Sequence, residues 1–205
     1  MFQPELDGVF EIVERIKKEG KAGSLLGIDS TIPHGTSKKI MQILNHKLHV
    51  VHVPHRYYRF DKEEHGVNQK RVIGSCFNCC YEMAEQVYGN ILKIPLHKVK
   101  DIEVAELTKI TENAYRFVLI AYAEELKMLC DSIKIDFDEL RESVNTKWNT
   151  EILEAKSGIG GHCLPKDSQM LLELSQDFGA SSMIKTAKKI DANYRLYIAT
   201  QTREL

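Results

Sequence analysis

Residues 98–131, with the sequence KVKDIEVAELTKITENAYRFVLIAYAEELKMLCD, contain neither glycine nor proline. Apolar residues recur in this stretch at steps of three and four, which is the spacing of one face of an α-helix. The recurring positions are Leu107, Ile110, Ala114, Phe117 and Ala121. The stretch therefore predicts one long amphipathic helix, and it divides the chain into two regions of different pattern.

Short helical and strand-like stretches alternate in the region that precedes this helix. Such alternation is typical of an α/β fold in which helices cover a parallel sheet. The predicted helices span residues 4–18, 36–47 and 81–87, and the predicted strands span residues 24–28, 48–53, 71–74 and 91–94. After residue 97 the pattern predicts helices alone, over residues 98–131, 136–144, 165–178 and 181–200. We therefore expect an α/β domain at 1–97 and then an all-α domain at 98–205.

The composition is that of a globular protein without a strong charge bias. The 205 residues include 28 Lys and Arg against 29 Asp and Glu, for a formal net charge of -1, and 43% are hydrophobic. This balance argues against binding of nucleic acid or an acidic membrane through bulk charge. No apolar run approaches the ~20 residues that cross a bilayer, and no secretory signal is visible. The five cysteines are an odd number and too few for a disulfide scaffold, so we expect a cytoplasmic protein.

The glycine-rich segment 157–167, SGIGGHCLPKD, carries the strongest chemical signal. It contains three glycines in four positions, namely Gly158, Gly160 and Gly161. These allow the backbone to turn sharply and to approach a ligand closely. Pro165 is typical of the first turn of a helix, which places Cys163 at the helix N-terminus, where N–H groups and the macrodipole stabilise a nucleophilic thiolate. The alternative is a flexible loop with an inert thiol and an aspartate that only caps a helix.

Two further segments bring polar groups to positions that suit a site. A polar stripe runs along the long helix and consists of Glu106, Lys109, Asn113 and Arg116. A cation and an amide one turn apart in such a stripe can stabilise an oxyanion together. Residues 29–36, DSTIPHGT, directly follow a predicted strand, at the sheet edge where ligands bind in parallel α/β folds. The alternatives are a solvated helix face for the stripe and a helix cap for the second segment.

A structural zinc site is another interpretation, and it rests on cysteines and histidines in the first half of the chain. The candidate ligands are Cys76, Cys79 and Cys80 together with His52 and His55. Thiolate and imidazole are ligands that zinc prefers, but side chains three apart on a strand point to opposite faces. The cysteines are equally explained as small apolar residues at the start of a helix. We therefore assign no metal ligands.

Four motifs resemble those of one known enzyme family. STIPHGT at 30–36, RVIG at 71–74, AELTKITENAYR at 105–116 and GIGGHCLPKD at 158–167 occur in the order and approximate spacing of the UDP-glucose/GDP-mannose dehydrogenase family. The form GGHCLPKD is similar to that of members which act on UDP-N-acetylhexosamines. The resemblance implies a partial Rossmann-like parallel sheet and a central helical dimerisation domain with one long helix, and hence a homodimer.

The same resemblance implies the chemistry. These enzymes oxidise the C6 alcohol of a nucleotide sugar, here a UDP-sugar, to a carboxylate with two molecules of NAD. Cys163 matches the nucleophile that forms a thiohemiacetal and then a thioester, while Lys109 and Asn113 match the groups that stabilise the oxyanions. The other matches are Asp167 as the acid/base that activates water, Thr31 as a residue that positions this water, Lys166 as a residue near the cofactor, and Gly158, Gly160 and Gly161 as the loop around the sugar.

The chain also departs from the family pattern. The phosphate-binding G-x-G-x-x-G turn is absent, since Gly20, Gly23 and Gly27 have the wrong spacing. His55 follows Pro54 where many relatives have a glutamate, and the sequence ends after the central helices. We therefore expect a polypeptide truncated at both ends that binds NAD poorly alone and acts when a complementing chain supplies the missing domains. A remnant that dimerises without catalysis is the alternative.

Overall fold

The computed structural model describes residues 6–57, 66, 69–177 and 182–202. Its elements are α1 (Asp7–Glu19), β1 (Leu25–Ile28), α2 (Thr36–Leu44), β2 (His49–His52), β3 (Arg71–Ser75), α3 (Asn78–Ala84), a π-helical segment (Glu85–Ile91), β4 (Leu96–Lys98), α4 (Ile102–Ile133), α5 (Phe137–Asn145), α6 (Cys163–Asp177) and α7 (Met183–Gln201). A sheet with helices followed by helices alone confirms the predicted fold class. The helix ends predicted at residues 4, 178 and 181 lie outside the described residues.

The chain forms two compact units, Met1–Ile110 and Thr111–Leu205, and α4 contributes residues to both. The first unit contains the sheet, and the second contains the helices that follow. The domain boundary at residue 97 stays a prediction, because compactness alone does not define a domain. In the described part of the chain, none of the helices is long and apolar enough to cross a membrane.

The sheet is mixed rather than wholly parallel. In the described residues its strand order is β1-β2-β3-β4, with β1 parallel to β2 and β3 parallel to β4. Strand β3 runs antiparallel to β2, with Val51 opposite Ser75 and His52 opposite Gly74. The sequence between β2 and β3 predicts no crossover helix, and an antiparallel neighbour does not need one.

The segment before α4 differs from its predicted structure. Residues 91–94 do not form a strand, because the π-helical segment runs to Ile91 and the last strand begins only at Leu96, after Pro95. Lys93 has a positive φ of 58°, which turns the chain sharply. The apolar character of this stretch comes instead from Ile94, which is buried after the turn and donates its amide to the Tyr88 carbonyl at 2.9 Å.

Neighbouring residues of β2 belong to different hydrophobic clusters of the first unit. Val50 packs with residues of α1 and α2, whereas Val51 packs with residues of β3 and α3. This follows from the alternation of side chains along a strand. His52 is fully buried, and burial lowers its pKa to about 4, so its imidazole is neutral at physiological pH.

Helix α4 buries most of the apolar stripe that its sequence predicts, although Leu107 is only half-buried. Ile110, Ala114, Phe117 and Ala121 are each buried. In the second unit, Phe117 and Ala121 pack with Ile159 and Ala187, which belong to the glycine-rich loop and to α7. The helix begins at residue 102 rather than 98, because residues 96–98 pair with β3. Packing of α4 thus fixes the segment that leads to Cys163.

Candidate active site

Cys163 is the first residue of α6, and its side chain is exposed. The position at a helix N-terminus agrees with the sequence prediction. Gly158 and Gly161 have φ values of 94° and 83°, a backbone conformation that glycine adopts without strain. The glycine-rich loop therefore needs these two glycines in order to deliver the thiol to the start of α6.

Asp167 lies one helical turn after Cys163, so both side chains belong to the same face of α6. Its carboxylate is 1% exposed, and Oδ2 accepts a hydrogen bond from the side-chain amide of Asn113. The Lys166 ammonium lies 3.1 Å from Oδ1, although the two atoms are not aligned for a hydrogen bond. Three of the predicted site residues thus form one polar contact group in the second unit.

Two residues of α7, which the sequence analysis did not single out, hold the glycine-rich loop. The carboxylate Oδ1 of Asp191 accepts the amide hydrogen of Ile159 at 2.7 Å. Arg195 donates to Asp191 through Nε at 3.1 Å and to the Ile159 carbonyl through Nη2. Both backbone groups of Ile159 are therefore bound by one ion pair, which we call the α7 clamp. An acid and an arginine four residues apart on a helix were the available sequence signal.

Glu124 of α4 is a buried carboxylate near this clamp. It is fully buried, and neither carboxylate oxygen has a hydrogen-bond partner among the described residues. Burial, followed by the negative charge of Asp191, raises its pKa to about 7, while the charge of Arg195 acts in the opposite direction. An acid of this kind changes its protonation near neutral pH.

Glu106, part of the predicted polar stripe, has a structural role in the first unit. Its fully buried carboxylate accepts the amide hydrogens of Gly35 at 2.7 Å and of Ser37 at 2.6 Å. These are the free N–H groups at the start of α2. The alternative of a solvated helix face is therefore wrong for Glu106, because its carboxylate is buried and bound to two backbone amides.

The carboxyl end of β1 carries a second polar network in the first unit. Asp29 accepts a hydrogen bond from the Tyr88 hydroxyl at 3.0 Å and forms an ion pair with the buried Arg71 at 3.1 Å. The amide of His55 donates to the Asp29 carbonyl at 3.1 Å. Burial and then the Arg71 charge lower the pKa of His55, which favours its neutral form. Thr31 is half-buried in the loop that follows.

The described contacts thus bring together Asn113, Lys166 and Asp167 close to the loop that carries Cys163. Thr31 and Lys109 belong to the other compact unit, and their catalytic roles stay predictions. Glu106, Glu124 and the α7 clamp are the polar residues whose contacts the sequence analysis did not foresee.

Comparisons with known proteins place these features in a family. A model of the UDP-glucose/GDP-mannose dehydrogenase family, central domain, matches residues 103–193. The UDP-N-acetyl-D-mannosamine dehydrogenase of Methanococcus maripaludis is 31% identical over 194 residues, which cover 95% of this chain and 44% of that protein. The NDP-N-acetyl-D-galactosaminuronic acid dehydrogenase of Ralstonia nicotianae is 27% identical over 217 residues, with coverages of 98% and 51%.

Comparison with solved structures agrees with the sequence comparisons. The solved structure of a UDP-D-ManNAc dehydrogenase from Pyrococcus horikoshii superposes with a TM-score of 0.87 at 27% identity, covering 98% of this chain and 50% of that one. The chain therefore spans about half the length of the relatives that it matches. Residues 103–193 of the chain carry the central domain of the UDP-glucose/GDP-mannose dehydrogenase family.

Proposed function

We propose that this chain provides the thiol and the sugar loop of an NAD-dependent dehydrogenase that converts the C6 alcohol of a UDP-N-acetylhexosamine to a carboxylate. The observation that carries the proposal is the exposed Cys163 at the start of α6, one turn before the buried Asp167. The names of the two similar enzymes, which act on N-acetylated sugars joined to a nucleotide, support this substrate class.

The described residues do not fit the pyrophosphate of NAD. In a dinucleotide-binding fold the phosphates bind free N–H groups at the start of the helix that follows the first strand. The helix that follows β1 in this chain is α2, and the amides of Gly35 and Ser37 at its start are already bound to the buried Glu106 carboxylate. We therefore assign the NAD site, and both oxidation steps, to a unit outside residues 1–205, either in a longer form of the polypeptide or in a complementing chain. Lys166 stays a predicted residue near the cofactor.

The steps that belong to this chain are those of the thiol. The Cys163 thiolate attacks the C6 aldehyde carbon, a C–S bond forms, and the carbonyl electron pair moves to oxygen to give a thiohemiacetal anion. Asn113 donates toward this oxyanion, and Lys109 is assigned the same role by the family resemblance. After oxidation to the thioester, water adds to the carbonyl carbon and the thiolate leaves.

Asp167 is assigned to the hydrolysis step. A carboxylate accepts a proton from the attacking water, and it must lie near the carbon bound to sulfur. Asp167 follows Cys163 by four residues on one helix, and Asn113 orients its carboxylate. Thr31 is assigned to the positioning of this water, while Gly158, Gly160 and Gly161 are assigned to the sugar.

A chimeric enzyme tests the proposal. This chain replaces the matching region of the Methanococcus maripaludis relative, and NADH formation is followed with UDP-N-acetyl-D-mannosamine and with UDP-N-acetyl-D-galactosamine. We expect turnover with at least one of them, and none in the matched Cys163→Ala chimera. A chimera that binds NAD and UDP-sugar by calorimetry but forms no NADH would contradict the proposal.

A non-catalytic dimerising module is the second candidate function. The observation in its favour is a row of exposed apolar side chains on α4 at heptad spacing, namely Tyr115, Tyr122 and Leu129. Such a row suits a second copy of the chain whether or not the thiol is active. The two candidates are separated by the chimera, since only the first expects turnover that depends on Cys163.

A further inference from the structure

One cluster of soft ligands lies outside the proposed active site. In the described part of the chain, the Nδ1 or Nε2 atom of His49 and the sulfur atoms of Cys79 and Cys80 all lie within 4.8 Å of one another. His49 is the first residue of β2, and both cysteines belong to the first turn of α3. The three residues thus come from two elements of the first compact unit.

The histidine differs from those that the sequence pattern suggested. His52 is fully buried on β2, and neither His52 nor His55 belongs to a convergent group of ligands in the described residues. His49 takes the place of the predicted His52 because residues 49 and 52 of β2 point to opposite faces of the sheet, so only one of them can face the cysteines. The H-x-x-H spacing was therefore misleading, while two of the cysteines do converge.

The cluster has the composition and the spacing that a thiophilic cation requires. Zinc binds thiolate at about 2.3 Å and imidazole at about 2.0–2.1 Å, so ligand atoms around one ion lie about 3.5–4 Å apart. Separations of up to 4.8 Å need only small side-chain rotations to reach this range.

The surroundings of the cluster are partly rigid and partly open. Cys80 is 5% exposed and packs against Val51 and Ala84, so its sulfur is held in place. Cys79 is exposed, and His49 is half-buried. An ion can therefore enter from solvent, and a water molecule can complete its coordination.

We propose that His49, Cys79 and Cys80 bind one zinc ion, with water as the fourth ligand, and that this ion joins β2 to α3. Two thiolates and one neutral imidazole give a site of low net charge, which suits a divalent cation at a partly buried position. Because the ligands come from separate elements, bound zinc stabilises the folded form of the first unit over the unfolded chain.

Zinc titration against a chromophoric chelator tests the proposal. Every protein in the comparison carries Cys163→Ser, so that the other exposed thiol cannot contribute. We expect one zinc ion per chain in this parent protein, and at least tenfold weaker binding after His49→Ala or Cys79→Ser. Cys76→Ser is the matched control, because this thiol lies near the cluster but outside it, and we expect it to bind like the parent.

Cobalt(II) provides a readout that does not depend on stability. Thiolate charge-transfer and tetrahedral ligand-field absorption should appear in the parent and in Cys76→Ser, and should be lost in Cys79→Ser, whose exposed position makes the change safe for folding. Zinc should also raise the melting temperature of the parent but not that of His49→Ala. Binding that is unchanged by both His49→Ala and Cys79→Ser, or no binding by the parent, would overturn the proposal.

Discussion

Cys163 and Cys79 are the two exposed thiols of the chain, and they differ in their surroundings. Cys163 is the first residue of the fifteen-residue α6, whereas Cys79 is the second residue of the seven-residue α3. A helix N-terminus stabilises a nearby negative charge by about 0.3–1 kcal/mol, which corresponds to roughly a two- to fivefold change in an equilibrium constant. The position of Cys163 at a helix N-terminus should therefore increase the rate at which its thiol is alkylated.

We predict that iodoacetamide labels Cys163 first at neutral pH in the metal-free protein, at least about twofold faster than Cys79 and faster than the three less exposed cysteines. Mass spectrometry of peptides from timed reactions measures each rate. Equal rates at Cys163 and Cys79 would show that the start of α6 does not activate the thiol.

Gly158 and Gly160 belong to the same loop but tolerate a side chain differently. Gly158 has a φ of 94°, and a Cβ atom there would lie 2.7 Å from Cγ of Arg195. Gly160 has no neighbouring atom within 4 Å of such a Cβ. We predict that Gly158→Ala destabilises the chain by about 1–3 kcal/mol, and that Gly160→Ala changes stability by less than about 0.5 kcal/mol.

Urea unfolding of both variants and the parent measures these changes, and hydrogen exchange at the Ile159 amide reports directly on the α7 clamp. We expect faster exchange in Gly158→Ala only, because the displaced Arg195 belongs to the clamp. Equal unfolding curves for the two variants would refute the strained conformation of Gly158.

At the scale of elements, Glu124 links the stability of α4 and α7 to pH. Its pKa rises from the ordinary value of 4.5 to about 7, mainly because the carboxylate is buried. The folded state therefore holds a proton that the unfolded chain loses, and this contribution to stability is complete below about pH 4.5 and is lost as pH rises through about 7. Tyr194, Asp191 and Arg195 are the charged or titratable neighbours on α7.

We predict that Glu124→Gln removes this decline and leaves the chain more stable than the parent at pH 8, by the order of 1–3 kcal/mol. The amide keeps the size of the side chain and removes its charge. Unfolding free energies measured from pH 4 to pH 8 provide the test. Glu125→Gln, a change at the exposed neighbouring position, serves as the control and should follow the parent curve. Parallel curves for Glu124→Gln and the parent would contradict the assigned pKa.

Helix α4 also predicts association. Tyr115, Tyr122 and Leu129 are 64%, 48% and 52% exposed and lie seven residues apart, which places them on one stripe of the helix. Association of two copies would remove this apolar surface from water. We predict a homodimer at micromolar concentration, which Tyr122→Glu weakens at least tenfold and Glu142→Lys, at an exposed position of α5, does not. Light scattering at several concentrations measures this, and a monomeric parent would refute it.

At the scale of the whole molecule, we expect the isolated chain not to bind NAD. The Gly35 and Ser37 amides at the start of α2 are bound to Glu106, and Gly20, Gly23 and Gly27 lack the spacing of a phosphate-binding turn. We predict that calorimetry detects no NAD binding by the isolated chain in the micromolar range, whereas the chimeric enzyme described above binds NAD. Micromolar binding by the isolated chain would show that a phosphate site forms without that turn.

The local sequence was sufficient for most of the helices and for the position of Cys163. The apolar stripe of α4 and the start of α6 at Cys163 both follow from residues a few positions apart, because helical hydrogen bonds and macrodipoles are local. Strand positions at β1, β2 and β3 were also predictable from short apolar runs. The motif around Cys163 was specific enough to indicate the family, which the comparisons confirm.

The directions and pairing of the strands, and the partners of the buried polar groups, were decided only by the tertiary structure. The antiparallel contact of β2 with β3, the convergence of His49 with Cys79, and the hydrogen bonds from Gly35 and Ser37 to Glu106 join residues that are distant in sequence. The sequence alone therefore determined most of the helices and the position of Cys163 at the start of one of them. Which buried polar group meets which partner was determined by long-range packing, since burial makes an unpaired polar group costly but does not specify its partner.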